Sequence, residues 1–142
     1  ETQPLMARLE GDLVDILWRT ASGTLDGAEI DFSDDVACCV VMCSEGYPGS
    51  YAKGTLITGI EKATENENVI VFQAGTDCTG DALVTSGGRV LGVTALSNTL
   101  EKARTTAYNA CGEIHFEGAF WRSDIGCRKN TISNPTTSAS GA

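Results

Sequence analysis

Residues 36 to 43 read VACCVVMC, eight apolar residues in a row, and this run limits the fold more than any other stretch. No apolar run here approaches the roughly 20 residues that cross a bilayer. A short continuous apolar segment is a strand covered on both faces rather than a half-wet alternating one. Cys38, Cys39, Val40 and Val41 are therefore expected in the core.

The stretch TSGGRVLGVTAL, 85 to 96, poses a second constraint. Two adjacent glycines break regularity, an arginine follows, and a nearly apolar run restores it. Together with the preceding residues it reads as strand, turn, strand, with Ser86-Gly87-Gly88 as a hairpin turn. Thr94 and Ala95 then belong to a sheet. NVIVFQAGT, 68 to 76, is a further strand. SEGYPGSYAKG, 44 to 54, is a turn-rich loop, and TLITGIEKA, 55 to 63, is ambiguous between strand and helix.

Helices flank this strand-rich middle. Leu5, Leu9, Leu13, Ile16 and Leu17 recur at helical spacing, so residues 4 to 20 read as one amphipathic helix, with Pro4 suited to its first turn. Asn98 is the expected N-cap of a second helix, with Glu101 in capping-box register. That helix runs to about Glu113. It should pack Leu100, Ala103, Ala107 and Ala110 on the sheet and leave Lys102 and Arg104 solvated. From Cys127 onward the polar Ser/Thr-rich stretch reads as a disordered tail. The pattern is α+β with a mostly antiparallel sheet.

The 142 residues suit one domain with a real core. The net charge of −9 excludes a general nucleic-acid binder, which needs a basic footprint, and adhesion to anionic membranes. The first residues, ETQPLMARLEGDL, lack a basic stretch followed by an apolar one, so no signal peptide is expected. Of the six cysteines, Cys38, Cys39 and Cys43 share one strand, Cys111 falls in a helix, and Cys78 and Cys127 fall in loops. No paired CxxC motifs stand out, so a zinc site is not expected. Reduced thiols in a cytosol-like compartment are the expectation.

Two glycine-rich stretches could carry chemistry. Gly46-Tyr47-Pro48-Gly49 follows the apolar strand directly. It is either a tight turn or a loop aimed at a ligand, with Lys53 close behind to supply charge. In Gly87-Gly88-Arg89, glycine amides can approach an anion, and a guanidinium binds phosphate or carboxylate through two parallel hydrogen bonds. The competing reading is a hairpin turn with a solvated arginine. His115, the lone histidine, stands near a helix end without partner residues for a catalytic triad. No phosphate-loop or dinucleotide fingerprint is present.

The order of the segments ETQPLMARLEGDLVDIL, VVMCSEGYPGSYAKG, VFQAGT, TSGGRVLGVTALSNTLEKARTTAY and IHFEGAFWRSDIG resembles the C-terminal part of the glycinamide ribonucleotide synthetase family, ATP-grasp ligases of purine biosynthesis. The resemblance covers roughly residues 1 to 126. It implies the last helix of an ATP-grasp module over residues 1–22. A C-terminal substrate-side domain follows over 23–126, similar in fold to the C-terminal domain of biotin carboxylase. The tail is 127–142. It also implies a reaction in which ATP, with magnesium or manganese, activates glycine for attack by 5-phosphoribosylamine.

In the family, ETQ ends a longer motif, roughly NxRFGDPETQ, whose metal-binding residues lie upstream. The N-terminal domain and most of the grasp domain would also lie upstream, so this part alone is expected to be inactive. No catalytic residue and no metal ligand is assigned to it. The resemblance puts Arg89 on the substrate's ribose phosphate, with Gly87 and Gly88 admitting the phosphate. Lys53 and the Gly46, Tyr47, Pro48, Gly49 loop are weaker candidates. Glu1 and Gln3 match the end of the motif lining the active site. Where family members often read SGGYPG, this chain has Ser44-Glu45-Gly46-Tyr47-Pro48-Gly49, which adds a charge. The resemblance leaves the compartment open between cytosol and plastid.

Two other readings compete: a non-enzymatic module holding a phosphosugar, and an interaction domain that docks an exposed patch of Phe116, Phe120 and Trp121 on a partner.

Overall fold

The computed structural model describes residues 2–127. In chain order the elements are α1 (Thr2–Arg8), β1 (Leu9–Glu10), α2 (Leu13–Ser22), β2 (Asp31–Phe32), β3 (Val36–Ser44) and α3 (Ile60–Ala63). They continue as β4 (Val69–Gln73), β5 (Thr76–Thr79), β6 (Ala82–Thr85), β7 (Arg89–Ser97), α4 (Leu100–Glu113) and β8 (Ala119–Phe120). The architecture is α+β. Four antiparallel strands in the order β4-β7-β3-β8 form the main sheet, and β1-β2 and β5-β6 form two small ones.

The two apolar stretches lie at the centre of that sheet. β3 and β7 pair from Val36↔Ser97 to Met42↔Leu91, with an irregularity before Cys43↔Arg89. One face carries Val40, Met42, Val93 and Ala95 against Ala107, Ala110 and Cys111 of α4. Small side chains on α4 let the helix approach closely, and 0 % exposure at Val40, Met42, Val93 and Ala107 shows a dry contact. α1 covers part of the other face. That cover is incomplete, because α1 is short: Val41, expected in the core, is exposed, and Cys39 is half-buried.

The single helix expected over 4–20 is two. Gly11 takes a positive φ of 96° that the helix cannot continue, and Asp12 starts α2 by accepting from the amides of Val14 (2.8 Å) and Asp15 (3.2 Å). The chain between them pairs Leu9 and Glu10 with Phe32 and Asp31. Leucine spacing runs through such a break unchanged, so periodicity alone concealed it. None of α2 is buried: Val14, Leu17 and Trp18 stand open.

Ser86-Gly87-Gly88 is not a hairpin turn. β6 pairs with β5, whereas β7 pairs with β3 and β4, so the glycines carry the chain from one sheet into another. Cys78, expected in a loop, lies on β5. The ambiguous segment 55–63 resolves into bridges at Leu56 and Thr58 and the one-turn α3.

The N-cap of α4 is Thr99, one residue later than expected, with its side chain accepting from the Lys102 amide (3.3 Å). Arg104 is not solvated. Its guanidinium donates to Ile125 O (2.9 Å) and Ser123 O (2.8 Å) and stacks over Tyr108. The aromatic end does not form an open patch either. Phe116 is buried, Trp121 packs on the core, and Phe120 alone of the three is exposed.

Candidate functional site

A backbone crossing builds the site. Gly75, just after β4, donates its amide to Arg89 O (2.8 Å), and its carbonyl accepts from Ser86 N (2.8 Å) and Gly87 N (3.0 Å). The two segments lie so close that a Cβ on Gly75 would sit 2.6 Å from Gly87 Cα. Gly88 makes a second close approach. It is buried, its carbonyl accepts from Ser44 N (2.8 Å), and a Cβ there would fall into the Tyr47 ring. Both positions exclude side chains. The expected use of Gly87 differs, because its amide is already donated to Gly75 O and is not available to an anion.

Past the crossing opens a cleft of about 540 Å³, lined by Gln3, Tyr47, Tyr51, Gly88, Arg89 and Gly92 among others. That volume lies within the roughly 300–1,000 Å³ of small-molecule sites. Gln3 comes from α1, Tyr47 and Tyr51 from the loop after β3, and Arg89 from the first position of β7. In this loop Tyr47 N donates to Ser44 O (3.1 Å), and the Tyr47–Pro48 peptide is cis.

Arg89 is exposed at the cleft, and its guanidinium has no acceptor among the described residues. The other described arginines are engaged. Arg8 donates to Ser33 O, Arg19 pairs with Asp15, Arg104 holds two carbonyls, and Arg122 pairs with Asp124. Among the described residues Arg89 is thus the guanidinium with no partner, the arrangement a bidentate oxyanion requires. Its charge reaches its strand partner on β3: burial pushes the Cys43 thiol up, and Arg89 pulls it the other way.

Gln3, Tyr47, Gly88 and Arg89, all expected from sequence, meet in one cleft. The remaining candidates lie elsewhere. Gly46 lines a neighbouring cavity with Glu45, Ser50 and Glu117, and Lys53 stands over the Tyr51 ring at 5.9 Å. Pro48 and Gly49 line neither cavity. Glu1 lies outside the described residues, as does the tail beyond Cys127. Tyr51, Gly75 and Gly92 were missed. A glycine inside an apolar strand signals close approach by another group, and Gly92 bore that signal.

Over residues 37–128 the chain matches the family described as phosphoribosylglycinamide synthetase, C domain. It is 48% identical over 126 residues to phosphoribosylamine–glycine ligase of Rhodopirellula baltica, covering 88% of this chain and 29% of that protein. It is 48% identical over 130 residues to the chloroplastic phosphoribosylamine–glycine ligase of Arabidopsis thaliana, covering 90% and 24%. The crystal structure of phosphoribosylamine–glycine ligase from Thermotoga maritima superposes with a TM-score of 0.66 at 33% identity, over 79% of this chain and 27% of that one. The chain thus spans under a third of the length of these relatives. By sequence and by fold, the chain belongs to the phosphoribosylglycinamide synthetase C-domain family.

Proposed function

We propose that this chain is the C-terminal part of an ATP-dependent ligase joining glycine to 5-phosphoribosylamine, and that its cleft receives the phosphoribosyl end of that amine. The observation that carries the reading is the Arg89 guanidinium, without a partner among the described residues, at the rim of a cleft floored by glycine backbone. An acidic chain attracts an anion only through a local site, and Arg89 is such a site. Tyr47 and Tyr51 supply apolar walls, and Gln3 supplies an amide.

The division at residues 22 and 23 belongs to the same proposal, with 1–22 ending an ATP-grasp module and 23–126 forming the substrate-side domain. What supports it is α2, a helix with both caps in place and no buried residue. Its open Val14 and Trp18 would pack on the upstream grasp domain. ATP and glycine would bind largely to that upstream part.

Magnesium or manganese, held by the upstream part, would supply positive charge to neutralise the nucleotide phosphates. Among the described residues no three His, Cys, Asp or Glu side chains stand together to hold a metal ion, so the metal is not assigned to this cleft. Among these residues, too, no helix is long and apolar enough to cross a membrane. Action in the cytosol, or in a plastid as the name of the Arabidopsis relative states for that protein, completes the reading.

Ribose 5-phosphate, a stable mimic of the phosphoribosyl end, tests the assignment by calorimetry. Arg89→Ala should weaken its binding by roughly 10- to 150-fold, the worth of a charge-assisted bidentate contact. Unchanged affinity would sink the assignment. Ligation of glycine by this chain alone would refute the view that it needs the upstream domains.

A further inference from the structure

We infer that Cys39 and Gly92 are positioning residues that orient the Gln3 carboxamide, so that its amino group faces the cleft as a second polar contact beside Arg89. The inference deepens the phosphoribosyl-site reading and rests on it.

Three observations converge on Gln3. It lines the cleft together with Gly92 and Arg89. Its Oε1 accepts a hydrogen bond from Cys39 Sγ at 3.4 Å, joining residues 36 apart in sequence. Its amide lies flat on the sheet at Gly92, where an added Cβ would come within 2.7 Å of Oε1 and 2.9 Å of Nε2. Glycine at this position of β7 therefore makes a seat, and the seat is occupied by one side chain.

The orientation follows from what each atom can do. A carboxamide offers one acceptor and two donor hydrogens. A thiol that keeps its proton is a donor, and the oxygen turns toward it. Burial pushes the Cys39 thiol up, against a smaller opposing pull from the Thr94 hydroxyl, so the proton stays near neutral pH. The oxygen being held, Nε2 and its two hydrogens are left on the other side, and no protein acceptor meets them among the described residues. A ribose hydroxyl or phosphate oxygen in the cleft would be their partner. Arg89 supplies charge, and Gln3 supplies a neutral, directed donor.

Cys39→Val keeps the bulk and removes the donor, and Cys39→Ser restores one. Gly92→Ala displaces the amide directly. The chain holds two glutamines, Gln3 and Gln73, so the side-chain amide signal of Gln3 is easily isolated by NMR. In the unsubstituted chain, ribose 5-phosphate should shift the Gln3 amide signal. In Cys39→Val and Gly92→Ala that shift should be lost and affinity should fall roughly 2- to 12-fold, the worth of one neutral hydrogen bond. Cys39→Ser should recover both, a rescue that a mere packing role would not give.

If Cys39→Val binds as tightly as the parent while Arg89→Ala binds poorly, the inference about Gln3 is overturned and the phosphate site stands. If Arg89→Ala also binds normally, or the parent chain does not bind ribose 5-phosphate, the phosphoribosyl reading falls and this inference with it. Should a variant melt early, the Gln3 amide shift on adding ribose 5-phosphate at low temperature decides.

Discussion

Replacing Gly75 by alanine should break the crossing that positions Arg89. The new Cβ would meet Arg89 O at 2.5 Å, Gly87 Cα at 2.6 Å and Gly87 N at 2.9 Å, all of them backbone atoms. None can swing aside as a side-chain tip would. Relief requires the two strands to part, which strains the Gly75 bonds to Arg89 O, Ser86 N and Gly87 N. Overpacking alone costs about 1–3 kcal/mol. Weakening two or three hydrogen bonds adds about 1 kcal/mol each. The entropy gain of glycine to alanine returns about 0.4–1 kcal/mol. The net is a loss of about 2–5 kcal/mol, which lowers Tm by roughly 10–20 °C for a domain near this size. Gly112 is the internal control. It lies in α4, and a Cβ there meets nothing within 4 Å. Gly112→Ala should therefore stabilise by about 0.5 kcal/mol, since helices favour alanine. Urea unfolding of both variants against the parent measures the contrast. A Gly75→Ala protein as stable as the parent would refute the crossing, and so would equal losses at the two positions.

Two further outcomes follow from the packing around α4. Arg104→Ala removes two hydrogen bonds to Ser123 and Ile125 carbonyls and a stack on Tyr108. It should cost about 1–3 kcal/mol and speed proteolysis after Arg122, whereas unchanged cleavage would mean the segment is held otherwise. Cys111 is fully buried, and burial pushes its thiol up to about 12. Its proton is retained in the folded chain and lost in the unfolded one above the ordinary thiol range. Stability should therefore be intact below pH 9 and fall between there and pH 12, by up to about 1.4 kcal/mol per pH unit from this thiol. Cys111→Ala should flatten that alkaline slope in urea titrations, and an identical slope would place the ionisation elsewhere.

Most of the fold was legible where one physical signal acted alone. The eight-residue apolar run had to be a central strand, and the alanine spacing of α4 had to face it. The failures came where a local signal had two outcomes. Glycines between two strands suit a hairpin, but they also suit a crossing, and what decided was Gly75, which lies eleven positions before Ser86. Nothing local to Ser86-Gly87-Gly88 states which strand β6 will pair with. The leucine spacing through Gly11 failed for a related reason. Helical periodicity records which residues are apolar and not whether the backbone stays helical between them. Asp12 after Gly11 carried the missing message, a stop followed by a start.

The same reasoning explains why only part of the cleft lining was legible. Arg89 was singled out because an arginine beside glycines has an identifiable chemistry. Gly92 and Cys39 were not, because each meets Gln3, a residue distant in sequence, and Tyr51 was not, because its neighbours Tyr47 and Lys53 form no pattern that marks a ring contact. A cleft of this kind is made of close approaches. Each glycine that lets another group come near, Gly75 under Gly87, Gly88 under Tyr47 and Gly92 under Gln3, fixes one wall. The glycines are thus not a flexible loop around a ligand. They form a floor in which the Gly75 and Gly87 amides are already bonded, and in the proposed reading recognition falls to the few polar groups beside that floor, Arg89 foremost.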